Sequence, residues 1–97
     1  YKPLPNFITI KKSSINGVGL FATKPIKIDT NLGISHIEDR HFKDGHIRTP
    51  LGGFINHSKN PNCSKRGNYS RYVYLFTDRA IKKGEELTLR YTLYNIK

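Results

Sequence analysis

Short stretches of apolar and β-branched residues recur along the chain, and no segment keeps a helical period. The clearest is residues 71–77, which are rich in aromatic and β-branched side chains. Residues 86–91 alternate with a period of two, which is typical of a strand with one buried face. Further strands are predicted at residues 7–10, 20–22 and 31–37. The pattern therefore predicts a mostly β fold of several short strands in small sheets.

One short helix is predicted at residues 51–55. Thr49 can cap its first turn, and Pro50 suits its first position, where the missing N–H would have no helical partner anyway. The polar, basic residues 64–70 are predicted to form a loop between two strands. Helix and loop together leave the rest of the chain to strands and turns.

An internal similarity links two distant segments. Residues 21–32 align without gaps on residues 76–87, with Phe, Ile, Lys and Leu identical at matched positions. Each copy has the form of a strand end, an exposed basic turn and the start of the next strand. Two copies are too few for a repeat architecture. We interpret them as one turn solution used twice.

Composition limits the fold and the partners. A chain of 97 residues with 36% hydrophobic residues predicts a single domain with a thin core. Its formal net charge of +10 favours anionic partners. A nucleic acid, an acidic protein face, an anionic cofactor group and a merely solvated basic surface all fit that charge.

The sequence argues against a disulfide, a metal site and a membrane or secreted location. Cys63 is the only cysteine, which excludes an internal disulfide and a cysteine-based zinc site, and the four histidines lack metal-ligand spacing. We therefore predict no bound metal. No apolar run approaches the roughly 20 residues of a membrane span, and no secretion signal is present. An intracellular protein without a membrane partner is expected.

Three segments combine features suited to chemistry. In residues 17–22, two glycines two positions apart let the backbone approach a ligand, although a hairpin turn would explain them equally well. Residues 56–62, Asn-His-Ser-Lys-Asn-Pro-Asn, are dense in hydrogen-bonding groups that need a polar ligand or an internal network. Residues 84–91 end on a tyrosine, whose hydroxyl could lie at a reacting centre or simply belong to a half-buried strand aromatic.

In this order, the three segments resemble the SET-domain family of lysine methyltransferases. The Gly-x-Gly, Asn-His-Ser-x-x-Pro-Asn and Gly-Glu-Glu-Leu-Thr-x-x-Tyr patterns all match, and the resemblance runs from about residue 8 to residue 94. It implies a single minimal SET domain over residues 1–97. It also implies a C-terminal strand that threads beneath the Asn-His loop in a knot-like crossing. The shortness is typical of the small SET proteins of large viruses and phages.

The resemblance implies a function, a cofactor and the residues that bind it. The function is transfer of methyl from S-adenosylmethionine to a protein lysine, which leaves S-adenosylhomocysteine. The family's Gly-x-Gly loop, here Gly17, Val18 and Gly19, binds the methionine part of the cofactor. Asn56 would bind the amino-acid end, and the backbone of His57 the adenine.

The remaining implied roles belong to the C-terminal part of the chain. Tyr91 would lie next to the transferred methyl and orient the lysine amine. Tyr94 would wall the adenine or the lysine channel, and Leu89 and Tyr72 are further channel candidates. An acidic general base is not required, and the motifs offer no obvious buried carboxylate.

Departures from the family pattern shape the expected substrate site. Lys59 occupies the position of a zinc-binding cysteine in many histone-directed relatives, and no cysteine-rich tail follows Tyr91, so a zinc-free site is implied. Gly53 replaces a frequent arginine. Few residues separate Leu32 from Phe54, so the insert that commonly grips substrate is nearly absent. We therefore predict that a second copy of the chain, in a homodimer, completes the lysine channel.

Two alternative functions remain beside methyl transfer to a histone or another host or viral protein. The chain could be a catalytically idle module that binds cofactor and recruits partners. It could also bind nucleic acid, with Lys65, Arg66 and Arg71 beside Tyr69 and Tyr72.

Overall fold

The computed structural model describes residues 4–38, 46–67 and 72–90. Within these ranges the chain forms eight strands and one short helix, which confirms the mostly β prediction. The elements are β1 (Ile8–Lys12), β2 (Val18–Ala22), β3 (Asn31–Glu38), β4 (His46–Arg48), α1 (Pro50–Phe54), β5 (Asn56–His57), β6 (Cys63–Arg66), β7 (Tyr72–Thr77) and β8 (Glu86–Leu89).

Strand β8 occupies the middle of the sheet. Hydrogen bonds connect the strands in the order β1-β2-β8-β6-β7-β3-β4, with β5 also paired to β8. β8 runs antiparallel to β2 and parallel to both β5 and β6. This arrangement places strands from the beginning, middle and end of the chain side by side. The predicted knot-like crossing involves residues from 91 onward, which lie outside the described ranges, and it stays a prediction.

The hydrophobic core gathers around the same central strand. Leu20 of β2, Leu75 of β7 and Leu87 of β8 are fully buried. Leu51 and Ile55, at the helix, complete the core from the other side. The thin core predicted from composition thus holds the strands that carry the three motifs.

Helix α1 begins at Pro50, the predicted first position, and ends at Phe54, one residue before the predicted end. Thr49 accepts a hydrogen bond from the Gly52 amide at 3.3 Å and donates its own hydroxyl to the Ile34 carbonyl at 2.6 Å. The cap therefore fastens the helix to β3 as well as starting it. Gly52 lies so close to β3 that a Cβ there would overlap the Ser35 carbonyl oxygen. The helix ends before Ile55, whose backbone is extended and leads into β5.

The loop predicted for residues 64–70 is wrong in its first part. Residues 63–66 form β6, which pairs with four residues of β7. The sequence of β6, Cys-Ser-Lys-Arg, lacks the apolar residues that usually indicate a strand. Its polar side chains are accommodated because they bond polar partners in the fold. Ser64 donates to Asp78 at 2.7 Å, and Arg66 donates to the same carboxylate at 2.9 Å. Strands β4 and β5 were not predicted either, since each is only two or three residues long.

The two similar segments form reciprocal turns. Ile26 and Ile81 occupy equivalent positions, and their backbones exchange hydrogen bonds of 2.9 and 2.8 Å. Asp29 and Gly84, also equivalent, both have left-handed backbone conformations, with φ of 62° and 86°. Each then donates its amide to the end of the strand that precedes the other turn: Gly84 N to Ala22 O at 2.7 Å, and Asp29 N to Thr77 O at 2.8 Å.

No helix among the described residues is long and apolar enough to cross a membrane.

Candidate functional site

The three sequence motifs meet at β8. The Gly-x-Gly segment leads into β2, the Asn-His pair forms β5, and the Gly-Glu-Glu-Leu-Thr segment leads into β8 itself. Leu20 pairs with Leu87 across β2 and β8, while Asn56 pairs with Thr88 across β5 and β8. The sheet thus brings together segments that are far apart in sequence, as a shared site requires.

The side-chain amide of Asn56 lies at the centre of this junction. Its nitrogen is within hydrogen-bond distance of the Val18 carbonyl (3.0 Å), the Asn16 carbonyl (3.2 Å), the Ser13 hydroxyl (3.1 Å) and a Glu86 carboxylate oxygen (2.8 Å). Carbonyls and carboxylates only accept hydrogen bonds. The amide nitrogen must therefore face the β1–β2 hairpin, and the carbonyl oxygen of Asn56 points away from it.

A half-buried carboxylate lies beneath the hairpin. The Ser13 hydroxyl lies 2.8 and 2.9 Å from the two oxygens of Glu86 and shares its single proton between them, while its own oxygen accepts from the Ile15 amide at 2.9 Å. Neither Ser13 nor Glu86 was predicted as a site residue from the sequence, and no carboxylate was expected at this place. The alternation of residues 86–91 could have indicated the position of Glu86. In a strand with a period of two, Glu86 lies on the same face as Thr88, which pairs with Asn56 of β5.

The two glycines of the Gly-x-Gly segment serve different needs. Gly17 has φ of 46°, and a Cβ there would meet nothing within 4 Å, so its role is conformational. Gly19 needs space: a Cβ would overlap Glu86 and lie 2.9 Å from the amide nitrogen of Asn56. The hairpin can approach the polar cluster closely only because Gly19 has no side chain.

Asn62 fixes the position of β8. It is 1% exposed, and its amide donates to the Glu86 carbonyl at 2.9 Å while its carbonyl accepts from the Thr88 amide at 2.8 Å. These bonds mimic a paired strand and hold the residues on either side of Leu87. The polar segment 56–62 therefore divides into one amide that faces the hairpin and one that clamps the central strand.

Comparison with known proteins identifies the family. The model of the SET domain matches residues 33–92, well over half of the chain. The chain belongs to the SET-domain family. The resemblance found from the motifs is confirmed, and the Gly-x-Gly segment extends it before the matched range.

Relatives and solved structures agree with this assignment. A histone-lysine N-methyltransferase of Mycosarcoma maydis, specific for H3 lysine-36, is 37% identical in an alignment 70 residues long that covers 63% of this chain. The chain spans only 7% of the length of that relative. A Plasmodium falciparum protein assigned as a histone methyltransferase superposes with a TM-score of 0.73 at 23% identity, covering 90% of this chain and 94% of that one. The methyltransferase domain of human PR domain-containing protein 2 gives 0.70 at 20% identity, covering 89% and 77%.

The two solved structures support the fold. All three similar proteins come from eukaryotes, and none comes from a virus or a phage. At 20–23% identity, the solved structures establish that the SET fold is shared. The similarity in style to viral and phage SET proteins is not tested by them and stays a prediction.

The other SET positions of the second motif are more exposed. His57 pairs through its backbone with Leu89, and its side chain faces solvent. Lys59, at the position of the family's zinc-binding cysteine, is also exposed, and its carbonyl accepts from Arg90 at 2.7 Å. Among the described residues, no group of three metal-ligating side chains comes together.

Cys63 is a structural residue. The thiol is buried and donates weakly to the Asn62 carbonyl oxygen at 3.3 Å. Burial, reinforced by the charge of Asp78, raises the pKa of Cys63 to about 12. A thiol that stays protonated at physiological pH is not a nucleophile.

The substrate-channel candidates are only partly brought together. Leu89 is buried and lines an open groove of about 330 Å³. Tyr72 lies at the other end of β7, roughly 16 Å along that strand from Thr77, the neighbour of Cys63 in the sheet. Tyr91 and Tyr94 lie outside the described residues. The other residues that line the groove are Pro61, Cys63, Ser64, Lys65, Asp78 and Arg90.

Of the basic residues that were candidates for nucleic-acid binding, Arg66 already makes contacts within the protein. Arg66 bonds Asp29 at 3.0 Å and Asp78 at 2.9 Å, and its guanidinium lies 4.6 Å from the centre of the Phe76 ring. Burial, and next the charge of Arg48, lower the pKa of Lys65. Tyr69 and Arg71 are outside the described ranges. The described residues therefore give a nucleic-acid surface little support.

Proposed function

We propose that this chain is a protein-lysine N-methyltransferase that uses S-adenosylmethionine. The observation that carries the proposal is the junction at β8, where the Asn56 amide is fixed beneath the Gly-x-Gly hairpin of a SET fold. A polar cluster of this kind is costly to bury unless each group is satisfied. Its position at the meeting point of three motifs favours a ligand site over a simple structural network.

The described residues fit the cofactor. Its amino-acid end carries an ammonium, which needs hydrogen-bond acceptors. The carbonyl oxygen of Asn56 points away from the hairpin acceptors and is the acceptor that a ligand would use. The backbone carbonyls of Asn16 and Val18 lie within 3.2 Å of the Asn56 amide nitrogen and hold that nitrogen towards the hairpin, which leaves the oxygen for the ligand.

Each of the chain's own residues then has a limited task. When bound, S-adenosylmethionine supplies an activated methyl group on a sulfonium. Gly17, Val18, Gly19 and Asn56 hold its amino-acid end, and the backbone of His57 holds its adenine. Tyr91 orients the lysine amine through its hydroxyl, and Leu89 and Tyr94 form part of the channel. Alignment of two reacting groups can lower a barrier by several kcal/mol.

The target amine must be neutral to react. A lysine ammonium that enters a narrow, apolar channel loses part of its hydration, which disfavours the charged form. The proton can leave to solvent before the amine reaches Tyr91. An acid–base residue is thus not essential for this reaction. Glu86 lies in the site, but its carboxylate accepts from Ser13 and Asn56, and we assign it no proton transfer.

The substrate class is a protein that carries an accessible lysine. The fungal relative is named for lysine 36 of histone H3, which makes histones the first candidates. Other host or viral proteins with acidic surfaces suit the net charge of +10 equally well. Such substrates imply an intracellular site of action, in the cytoplasm or the nucleus. A homodimer that completes the channel also remains part of the proposal.

Radiolabelled methyl transfer tests the proposal. Purified chain, labelled S-adenosylmethionine and core histones or a cell lysate should give labelled protein. Tyr91→Phe should reduce the rate at least tenfold, as expected for loss of one positioning hydroxyl at the reacting centre. Tyr74→Phe is the matched control, because Tyr74 is a tyrosine of β7 with no role in the proposed site, and it should keep close to wild-type activity. A wild-type protein that binds cofactor but labels nothing would support the idle-module alternative instead.

A further inference from the structure

The Glu86 carboxylate links parts of the chain that are remote in sequence. It accepts from Ser13, 73 residues away, and from Asn56, 30 residues away. Both of its oxygens are engaged by these donors. The carboxylate therefore holds together groups of the site that come from three parts of the chain.

The orientation of the Asn56 amide depends on this carboxylate. Among the described residues, four acceptors surround the amide nitrogen; of these, Glu86 gives the shortest contact, 2.8 Å, and alone carries a full charge. If the amide flipped, its oxygen would face two carbonyls and a carboxylate, which repel it. Ser13 keeps the carboxylate in place and at the same time closes the hairpin, where its amide donates to the Gly17 carbonyl at 2.8 Å.

We propose that Glu86, held by Ser13, is a positioning residue that fixes the Asn56 carbonyl oxygen as an acceptor for an α-ammonium. The site thereby selects adenosyl ligands whose amino-acid end carries a free amino group. This inference rests on the proposed function, since it names the determinant of cofactor recognition at the same site. Glu86 acts through Asn56 and does not touch the reacting atoms.

A comparison of two ligands tests the inference by calorimetry. The probes are S-adenosylhomocysteine and its analogue without the α-amino group. Glu86→Ala should weaken the binding of S-adenosylhomocysteine at least tenfold, because the Asn56 amide loses the acceptor that holds its orientation. The same substitution should weaken the binding of the analogue by less than about threefold. Glu86→Gln is the matched conservative variant. Its amide oxygen can still accept from Asn56, so it should keep most of the wild-type affinity.

Ser13→Ala gives an independent check. This variant keeps the Glu86 side chain but removes the hydroxyl that fixes its position. The loss of affinity should therefore be smaller than in Glu86→Ala, and it should again be larger for the ligand with the amino group. Partial unfolding lowers the fraction of active protein equally for both ligands. The ratio of the two dissociation constants is therefore insensitive to a loss of stability.

Several outcomes would overturn the positioning role. Equal losses for both ligands would make Glu86 merely structural. A Glu86→Gln variant as weak as Glu86→Ala would show that charge, and not orientation, is what matters. If the wild type binds both ligands and no variant changes their ratio, only this inference falls. If the wild type binds neither ligand, the proposed function falls with it.

Discussion

Two amides in one short polar segment have opposite tasks at the residue scale. The side-chain nitrogen of Asn56 faces the hairpin, and its oxygen points away from the hairpin. Asn62, in contrast, uses both the nitrogen and the oxygen of its side chain to bond the backbone of β8. The motif Asn-His-Ser-Lys-Asn-Pro-Asn identified both positions, but a pattern of residues cannot assign donors and acceptors. Their tasks follow only from which strands lie next to them.

Substitution of Asn62 should destabilise the fold strongly. Asn62→Ala removes two hydrogen bonds to the β8 backbone and leaves buried groups without partners, which should cost about 2 to 4 kcal/mol. Asn60→Ala is the control, because that side chain is exposed, and it should change the free energy of unfolding by less than about 0.5 kcal/mol. Urea denaturation measures both. Similar values for the two variants would contradict the clamp.

Cys63 should make stability fall at alkaline pH. Its pKa in the folded state is raised to about 12 from the ordinary 9.0, so the unfolded chain loses this proton first. The contribution is fully present below pH 9 and is lost progressively as the pH rises towards 12. The Cys63→Ala variant should lose less stability than wild type between pH 8 and pH 10. Parallel curves from urea denaturation across that range would argue against a buried, protonated thiol.

At the scale of elements, the strands with alternating apolar and polar side chains were predicted from the sequence. The strands that depend mainly on backbone pairing with neighbouring strands were not. β7 and β8 carry strong patterns and lie where they were expected. β6 has the sequence Cys-Ser-Lys-Arg, and it is a strand only because β7 and β8 offer backbone partners on both sides. Ser13 and Glu86 escaped notice for the same reason. Their contact depends on the pairing of β2 with β8, which the chain does not reveal locally.

Two glycine substitutions, one in a reciprocal turn and one in helix α1, should change the stability in opposite directions. Gly84→Ala forces a Cβ into a left-handed conformation, φ 86°, and should cost about 1 to 2 kcal/mol. Gly53→Ala lies in α1, where a Cβ meets nothing within 4 Å, and should stabilise by about 0.5 kcal/mol through helix propensity. Thermal unfolding distinguishes them. A shift of the melting temperature in the same direction for both would contradict this assignment of the turn.

At the scale of the whole molecule, one central strand organises fold and site together. β8 carries the core residue Leu87 on one face and Glu86 on the other, and its pairing partners β2 and β5 bring the remaining motifs. The sequence predicted the family and the fold class, because SET motifs are specific in order and spacing, and the ligand site at Asn56 stays a prediction. The sequence could not predict the carboxylate beneath the hairpin, because that contact forms only when distant strands pair.

Mass spectrometry of a protein substrate tests the central claim most directly. Core histones and a lysate are incubated with the chain and S-adenosylmethionine, and modified peptides are sequenced. The account predicts that lysine residues gain methyl groups with the wild type and fail to do so with Asn56→Ala, which loses the acceptor for the cofactor. Absence of any methylated lysine with a folded, cofactor-binding wild type would contradict the assignment as a protein-lysine methyltransferase.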